Sequence, residues 1–269
     1  MNILYAFLIT LFAGLSTGLG GLLAFTKMAN KKSFLAFSLG LSAGVMLYVS
    51  FIEIFPKAYE SLAEVYTDNT AYLITTLSFF GGMALIGLID YLVPDYVNPH
   101  TLPDINGVPQ EVDEVEQERS TLLRMGLFTA AAIAIHNFPE GLATFIAASE
   151  SLTLGISIGA AIAIHNIPEG IAVAMPIYHA TGSKAKALWY SLLSGLAEPL
   201  GAIVGIFLLQ AFTGDFFFGI LFAGVGGIMV YISLDELLPS AEKYGKHHIS
   251  IIGLMVGMAI MAASLVLFL

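Results

Sequence analysis

Eight continuous apolar stretches occupy most of this 269-residue chain, at about 3–26, 34–56, 70–92, 121–148, 152–180, 184–210, 214–239 and 248–269. Each is long enough to cross a hydrocarbon core of roughly 30 Å as a helix. Lipid offers no water to satisfy backbone N–H and C=O groups, so a spanning segment must be a helix or part of a closed barrel. Barrel strands alternate apolar and polar residues over about ten positions, and these stretches are apolar throughout. With 57% hydrophobic residues and a mean hydropathy of +0.85, the chain cannot present an ordinary soluble surface. The expectation is an all-α integral membrane protein with eight transmembrane helices, forming one membrane domain over 1–269. The first stretch has no Lys or Arg ahead of it and exceeds the h-region of about 7–15 residues found in signal peptides. It is expected to stay in the protein.

The ten basic residues fix the orientation. Lys27, Lys31, Lys32, Arg119, Arg124, Lys184, Lys186, Lys243 and Lys246 fall at odd-numbered loops, and only Lys57 falls at an even one. Under the positive-inside rule the odd loops face the cytoplasm and both termini lie outside, in the extracellular or periplasmic space of a multi-pass cell-membrane protein. The sizeable polar insert, about 93–120, holds four prolines and the acids Glu111, Asp113, Glu114, Glu116 and Glu118. It reads as a solvated cytoplasmic loop, and His100, Asp95 and Asp104 within it as part of that acidic surface.

Segments of the chain repeat. Residues 44–56 align without a gap to 227–239, pairing Gly44 with Gly227, Met46 with Met229, Tyr48 with Tyr231, Ser50 with Ser233, Glu53 with Glu236 and Pro56 with Pro239. A weaker match sets Gly14, Leu15, Leu19 and Gly20 against Gly195, Leu196, Leu200 and Gly201, with Thr17 opposite Glu198. A third is the clearest: Ala-Ile-Ala-Ile-His-Asn-Phe-Pro-Glu-Gly at 132–141 recurs as Ala-Ile-Ala-Ile-His-Asn-Ile-Pro-Glu-Gly at 161–170. Spans 1, 2 and 4 therefore resemble spans 6, 7 and 5, and each mate crosses the membrane in the opposite direction. Inverted repeats imply a pseudo-two-fold axis in the membrane plane, with a binding site at mid-depth where the repeats meet.

The chemistry of that site follows from its residues. His136 and Glu140 are four residues apart, as are His165 and Glu169, so each pair shares a helix face. Asn137 and Asn166, turned by about 100°, can line the same cavity from its edge. Pro139 and Pro168 release the carbonyls of Ile135 and Ile164. Glu53, Glu140, Glu169, Glu198, Asp235 and Glu236 lie in or at the ends of spans with no Lys or Arg at comparable depth. Such carboxylates must be protonated or neutralised by a cation. Imidazole with carboxylate suits Zn, Fe, Co, Ni or Mn, and the absence of cysteine removes thiolate sites.

Competing readings stay open at this point. Intramembrane histidines often serve as interhelical hydrogen-bonders, and the same His and Glu residues could relay protons. An intramembrane metal-dependent hydrolase is the alternative from a different class, although the spacing His-Glu-x-x-His is missing. Met46 can pack or offer a thioether. His179, His247 and His248 read as interfacial polar residues, Asp90 as a residue meeting interfacial water, and the glycines at 14, 18, 20, 21, 40 and 44 as close-packing positions.

With His-Asn-x-Pro-Glu-Gly written twice and Glu53 and Glu198 in flanking helices, the chain resembles the ZIP (Zrt/Irt-like) metal transporters, most closely the bacterial ZupT-like branch. The resemblance covers the whole chain. It implies uptake of divalent cations into the cytoplasm, Zn2+ with Fe2+, Mn2+ and Co2+ as further cargo, by a helical bundle that is often a homodimer. No catalytic cofactor, enzymatic activity or nucleic-acid partner is implied; the partners are the metal ion and the lipid bilayer. By position, Glu140, His165 and Glu169, with His136, would form a zinc site. Asn137, Glu140, Asn166, Glu169 and Glu198 would form an adjoining site associated with iron. Family members often carry a His-rich loop between spans 3 and 4, where this chain has only His100.

Overall fold

The structure, a computed structural model, describes residues 3–27, 31–92, 114–211, 215–244 and 247–268. Its helices form eight rods in the predicted order. Span 1 is α1 (Ile3–Leu23), and span 2 is α2 (Lys32–Val49), a π-helical turn (Ser50–Ile54) and α3 (Phe55–Ala63). Spans 3, 4 and 5 are α4 (Asp68–Leu92), α5 (Glu114–Glu150) and α6 (Leu152–Thr181). Span 6 breaks into α7 (Lys184–Gly195) and α8 (Ala197–Ala211). Span 7 is α9 (Asp215–Ile232), a second π-helical turn (Ser233–Leu237) and α10 (Leu238–Tyr244), and span 8 is α11 (His247–Phe268). Seven of these rods are long and apolar enough over their described residues to cross a bilayer. The remaining one, α5, is 37 residues long and starts earlier than its apolar stretch. Glu114, Glu116, Gln117, Glu118 and Arg119 are good helix formers and carry the helix into what the sequence reads as loop. The rest of that loop, with His100, Asp95 and Asp104, lies outside the described residues.

Span 2 runs past Pro56 instead of ending there, and a local device explains it. Ser50 Oγ donates to Met46 O at 2.7 Å, and the N–H of Phe55 reaches back five residues to Ser50 O. The widened turn absorbs the backbone hydrogen bond that Pro56 cannot make. Span 7 repeats the arrangement: Ser233 Oγ donates to Met229 O at 2.8 Å, and the N–H of Leu238 reaches Ser233 O. The two π turns sit in the same register of the 44–56 and 227–239 repeats.

Packing obeys the inverted symmetry as well. α1 lies on α6 as α8 lies on α5, and α2 lies on α11 as α9 lies on α4. Glycines make the approach so close that a Cβ would strike backbone. Gly20 abuts Ile167 O and Gly201 abuts its mate Phe138 O; Gly170 abuts Thr17 O and Gly141 abuts Glu198 O. Gly14 and Gly195 each face the other's carbonyl. The same contacts reveal a repeat the sequence reading missed. Gly44 abuts Leu254 O while Gly227 abuts Phe79 O, and Gly257 abuts Leu41 O while Gly82 abuts Gly224 O. Spans 3 and 8 are thus mates too.

Two groups of spans result: 1, 4, 5 and 6 around the twin motifs, and 2, 3, 7 and 8 beside them. They meet through α2 and α11 against α6 and through α9 against α5. Symmetry fails where the two groups meet. The Ser157 and Ser264 hydroxyls lie 3.4 Å apart where α11 packs on α6, whereas among the described residues α4 makes no equivalent contact with α5.

Candidate metal centre

The twin motifs face one another at the contact of α5 and α6. His165 Nε2 lies 3.2 Å from Glu140 Oε2 and 3.9 Å from Glu169 Oε1. Ser42, on α2, donates its hydroxyl to Glu169 Oε1 at 2.9 Å. Asn166 Nδ2 donates to Glu198 Oε1 and, at 2.9 Å, to Ala13 O. Asn137 Nδ2 donates to Ser194 O at 3.3 Å. Asn137, Glu140, His165, Asn166, Glu169 and Glu198 are all fully buried, each 0% exposed.

The asparagine bonds are symmetry mates, because Ala13 precedes Gly14 as Ser194 precedes Gly195. Each amide nitrogen is anchored on a backbone carbonyl of the neighbouring repeat, which fixes how the side chain points. In span 6 that carbonyl lies just before the break between α7 and α8, whereas Ala13 O lies within the unbroken α1. With the nitrogens committed, Asn137 Oδ1 and Asn166 Oδ1 are buried with no hydrogen-bond partner among the described residues, and so are Glu140 Oε1 and Glu198 Oε2. Four buried acceptor oxygens without a donor would each cost about 1–3 kcal/mol. A bound cation is the species that satisfies acceptors of this kind without bringing a donor of its own.

The charge inventory points the same way. Glu140, Glu169 and Glu198 are three fully buried carboxylates, and among the described residues the basic side chain in contact with them is His165. Even a protonated His165 leaves an excess of negative charge when all three are ionised. Among the described residues no three His, Asp or Glu side chains stand close enough together to hold an ion as they are placed. His165 lies between Glu140 and Glu169, at 3.2 and 3.9 Å.

Other expected residues fall differently. The His136 side chain lies outside the described residues, as does that of Asp90. Glu53 is half-buried on the π turn of span 2 and stands apart from the cluster, eleven residues beyond Ser42, or roughly 16 Å of helix rise. Met46 is fully buried in the apolar core with its mate Met229, which favours the packing reading. Glu236 and Asp235 occupy the matching π turn of span 7, partly buried. His179 is exposed beside Tyr178, and His247 Nδ1 lies 2.6 Å from Glu242 Oε1 at an exposed helix junction, so both are surface polar groups. Ser42 was not foreseen. A serine in an apolar helix carries no signal beyond its ordinary tendency to bond its own backbone.

Comparison with known proteins places the whole chain. The family model described as ZIP Zinc transporter matches residues 2–120 and 98–265. A zinc transporter ZupT from Oceanobacillus iheyensis is 56% identical over 266 residues, covering 99% of this chain and 98% of its own. Zinc transporter ZupT from Streptococcus mutans is 56% identical over 263 residues, 98% of this chain and 97% of its own. That of Chlorobium limicola is 58% identical over 266 residues, 99% of this chain and 98% of its own. Eight spans related by inversion, twin His-Asn-x-Pro-Glu-Gly motifs facing each other at their contact and full-length matches of this strength agree: the chain belongs to the ZIP family of zinc transporters.

Proposed function

We propose that the chain carries Zn2+ across the cell membrane into the cytoplasm, with Fe2+, Mn2+ and Co2+ as further cargo, through a site built from Glu140, His165, Glu169, Asn137, Asn166 and Glu198, with His136 as an additional ligand. The observation that supports this reading is a set of buried acceptors: the carboxylates of Glu140, Glu169 and Glu198 are fully buried, and the amide oxygens of Asn137 and Asn166 have no donor among the described residues. The relatives' names as zinc transporters support the same cargo and leave the hydrolase alternative without support. Imidazole, carboxylate and amide oxygen are borderline and hard donors, a set that suits Zn2+ and its first-row neighbours.

The inward direction of transport comes from the family resemblance, and the orientation of the chain from the nine-to-one bias of basic residues toward the odd loops. On that orientation Glu53 stands toward the outer face and Asp235 with Glu236 toward the inner face, so we assign them the receipt and release of the ion. The contact of Ser157 with Ser264, which has no counterpart between α4 and α5 among the described residues, supports an asymmetric form of the kind an alternating-access cycle passes through. A homodimer remains part of the proposal through the family resemblance alone. Zinc uptake into proteoliposomes, for the parent, Glu169→Ala and Glu236→Gln, tests the assignment. Loss in Glu169→Ala is expected; uptake equal to the parent would sink the site, and unchanged uptake by Glu236→Gln across zinc concentrations would remove Glu236 from the path.

A further inference from the structure

Ser42 enters the centre from the other group of spans. Its helix, α2, turns Gly40 and Gly44 to α11, where their missing Cβ atoms let Ser250 O and Leu254 O approach. Leu39, Ser42 and Met46, at helical spacing on another face, are fully buried. Hydroxyls in the apolar helices of this protein commonly bond their own backbone four residues back, as Thr10 does to Ala6 O, Ser50 to Met46 O, Thr75 to Ala71 O and Ser233 to Met229 O. Ser42 instead donates across the bundle, 127 residues away in sequence, to Glu169 Oε1.

Inverted symmetry makes this contact one-sided. In the register that pairs Gly44 with Gly227, the mate of Ser42 is Val225, which is buried and has no hydroxyl. The mate of Glu169 is Glu140, whose Oε1 has no hydrogen-bond partner among the described residues. One carboxylate of the matched pair is therefore held by a donor from span 2, and the other has no such restraint from span 7.

We propose that Ser42 is a positioning residue for metal selection, fixing the Glu169 carboxylate so that it meets the ion through a single oxygen. This rests on the reading of Glu169 as a ligand. With one lone pair of Oε1 committed to the hydroxyl, two-oxygen capture of an ion has to share that oxygen between the hydroxyl and the ion, which weakens the second contact. One-oxygen carboxylate ligation suits the four-coordinate geometry of Zn2+, whereas Mn2+ favours six oxygen-rich positions and gains from a second carboxylate oxygen. The hydroxyl thus favours zinc over manganese. It also couples the site on spans 4 and 5 to the position of span 2.

The test uses the purified full-length chain and its Ser42→Ala, Ser42→Thr and Glu169→Gln variants. Equilibrium binding of Zn2+ and of Mn2+, proteoliposome uptake and thermal unfolding without metal are measured on each. Losing a hydrogen bond to a charged acceptor should weaken zinc binding in Ser42→Ala about tenfold, with KM raised to match. Manganese binding should change less than about threefold and Vmax should stay close to the parent's, while the metal-free Tm should fall by about 3–12 °C as the buried hydrogen bond is lost. Ser42→Thr, which keeps the hydroxyl, should recover most of the zinc affinity. The proposal is overturned if Ser42→Ala binds zinc like the parent while Glu169→Gln does not, if Thr fails to rescue, or if both metals weaken equally. Parent-like zinc binding and uptake by Glu169→Gln would instead overturn the underlying site.

Discussion

Replacing Glu198 by glutamine separates a cation site from a structural polar network. With all three carboxylates ionised, Glu140, Glu169 and Glu198 set three negative charges against the one described imidazole beside them, His165, and the substitution removes one of the three. Geometry is nearly conserved, because the glutamine oxygen can still accept from Asn166 Nδ2 as Glu198 Oε1 does. Two unit charges about 4–8 Å apart in an effective dielectric near 20 repel by about 2–4 kcal/mol. Proton uptake by the cluster relieves part of that, so the metal-free variant should be more stable than the parent by about 1–2 kcal/mol. At about 2–4 °C per kcal/mol for a chain of this size, Tm should rise by about 2–8 °C. Zinc should then stabilise the variant less than the parent, for which about 2.7 kcal/mol is expected at a hundredfold excess over Kd. Thermal unfolding of chelator-treated and zinc-loaded protein in detergent measures both. If the metal-free variant instead loses the roughly 3–5 kcal/mol of a broken buried ion pair, Glu198 belongs to a satisfied structural network and the excess-charge argument fails.

Other consequences can be measured separately. Gly20→Ala and Gly201→Ala each drive a Cβ into a backbone carbonyl of the facing repeat, so each should lower Tm by about 1–3 kcal/mol equivalent; an effect confined to one would mean the repeats do not pack equivalently. The chain has no cysteine, so single replacements at Lys57, Glu150 and Lys184 can be labelled with a membrane-impermeant thiol reagent. Lys57→Cys and Glu150→Cys should react in intact cells and Lys184→Cys only after permeabilisation, and the reverse pattern would invert the topology. Met46→Leu conserves core volume, so a stability change under about 1.5 kcal/mol with unchanged zinc uptake is expected; a large loss of uptake would restore the thioether as a ligand.

Much of the fold was legible because its cause is local. Helix in lipid follows from composition alone, since no other open-chain structure satisfies the backbone. The twin motif named the helix pair at the centre, and the 44–56 repeat paired spans 2 and 7, whose matched π turns only the structure showed. The mate relation of spans 3 and 8 stayed hidden: Gly82 and Gly257 mark it through contact with backbone carbonyls, and a carbonyl leaves no trace in the identity of the residue that bears it. The helical extension to Glu114 was missed because apolar periodicity stops where water begins, while helix propensity does not.

The centre divides along the same line. Sequence by itself determined which residue types stand at mid-depth, that they come as an inverted pair, and that no Lys or Arg accompanies them. Tertiary structure alone decided what each atom does. It committed the asparagine nitrogens to Ala13 O and Ser194 O, brought His165 against Glu140, set Glu53 apart, and reached from Ser42 to Glu169. Spacing within one helix specifies a shared face, but hydrogen bonds between helices depend on how closely and in what register the rods approach. Here that approach is set by glycines and backbone, whose contacts no motif records.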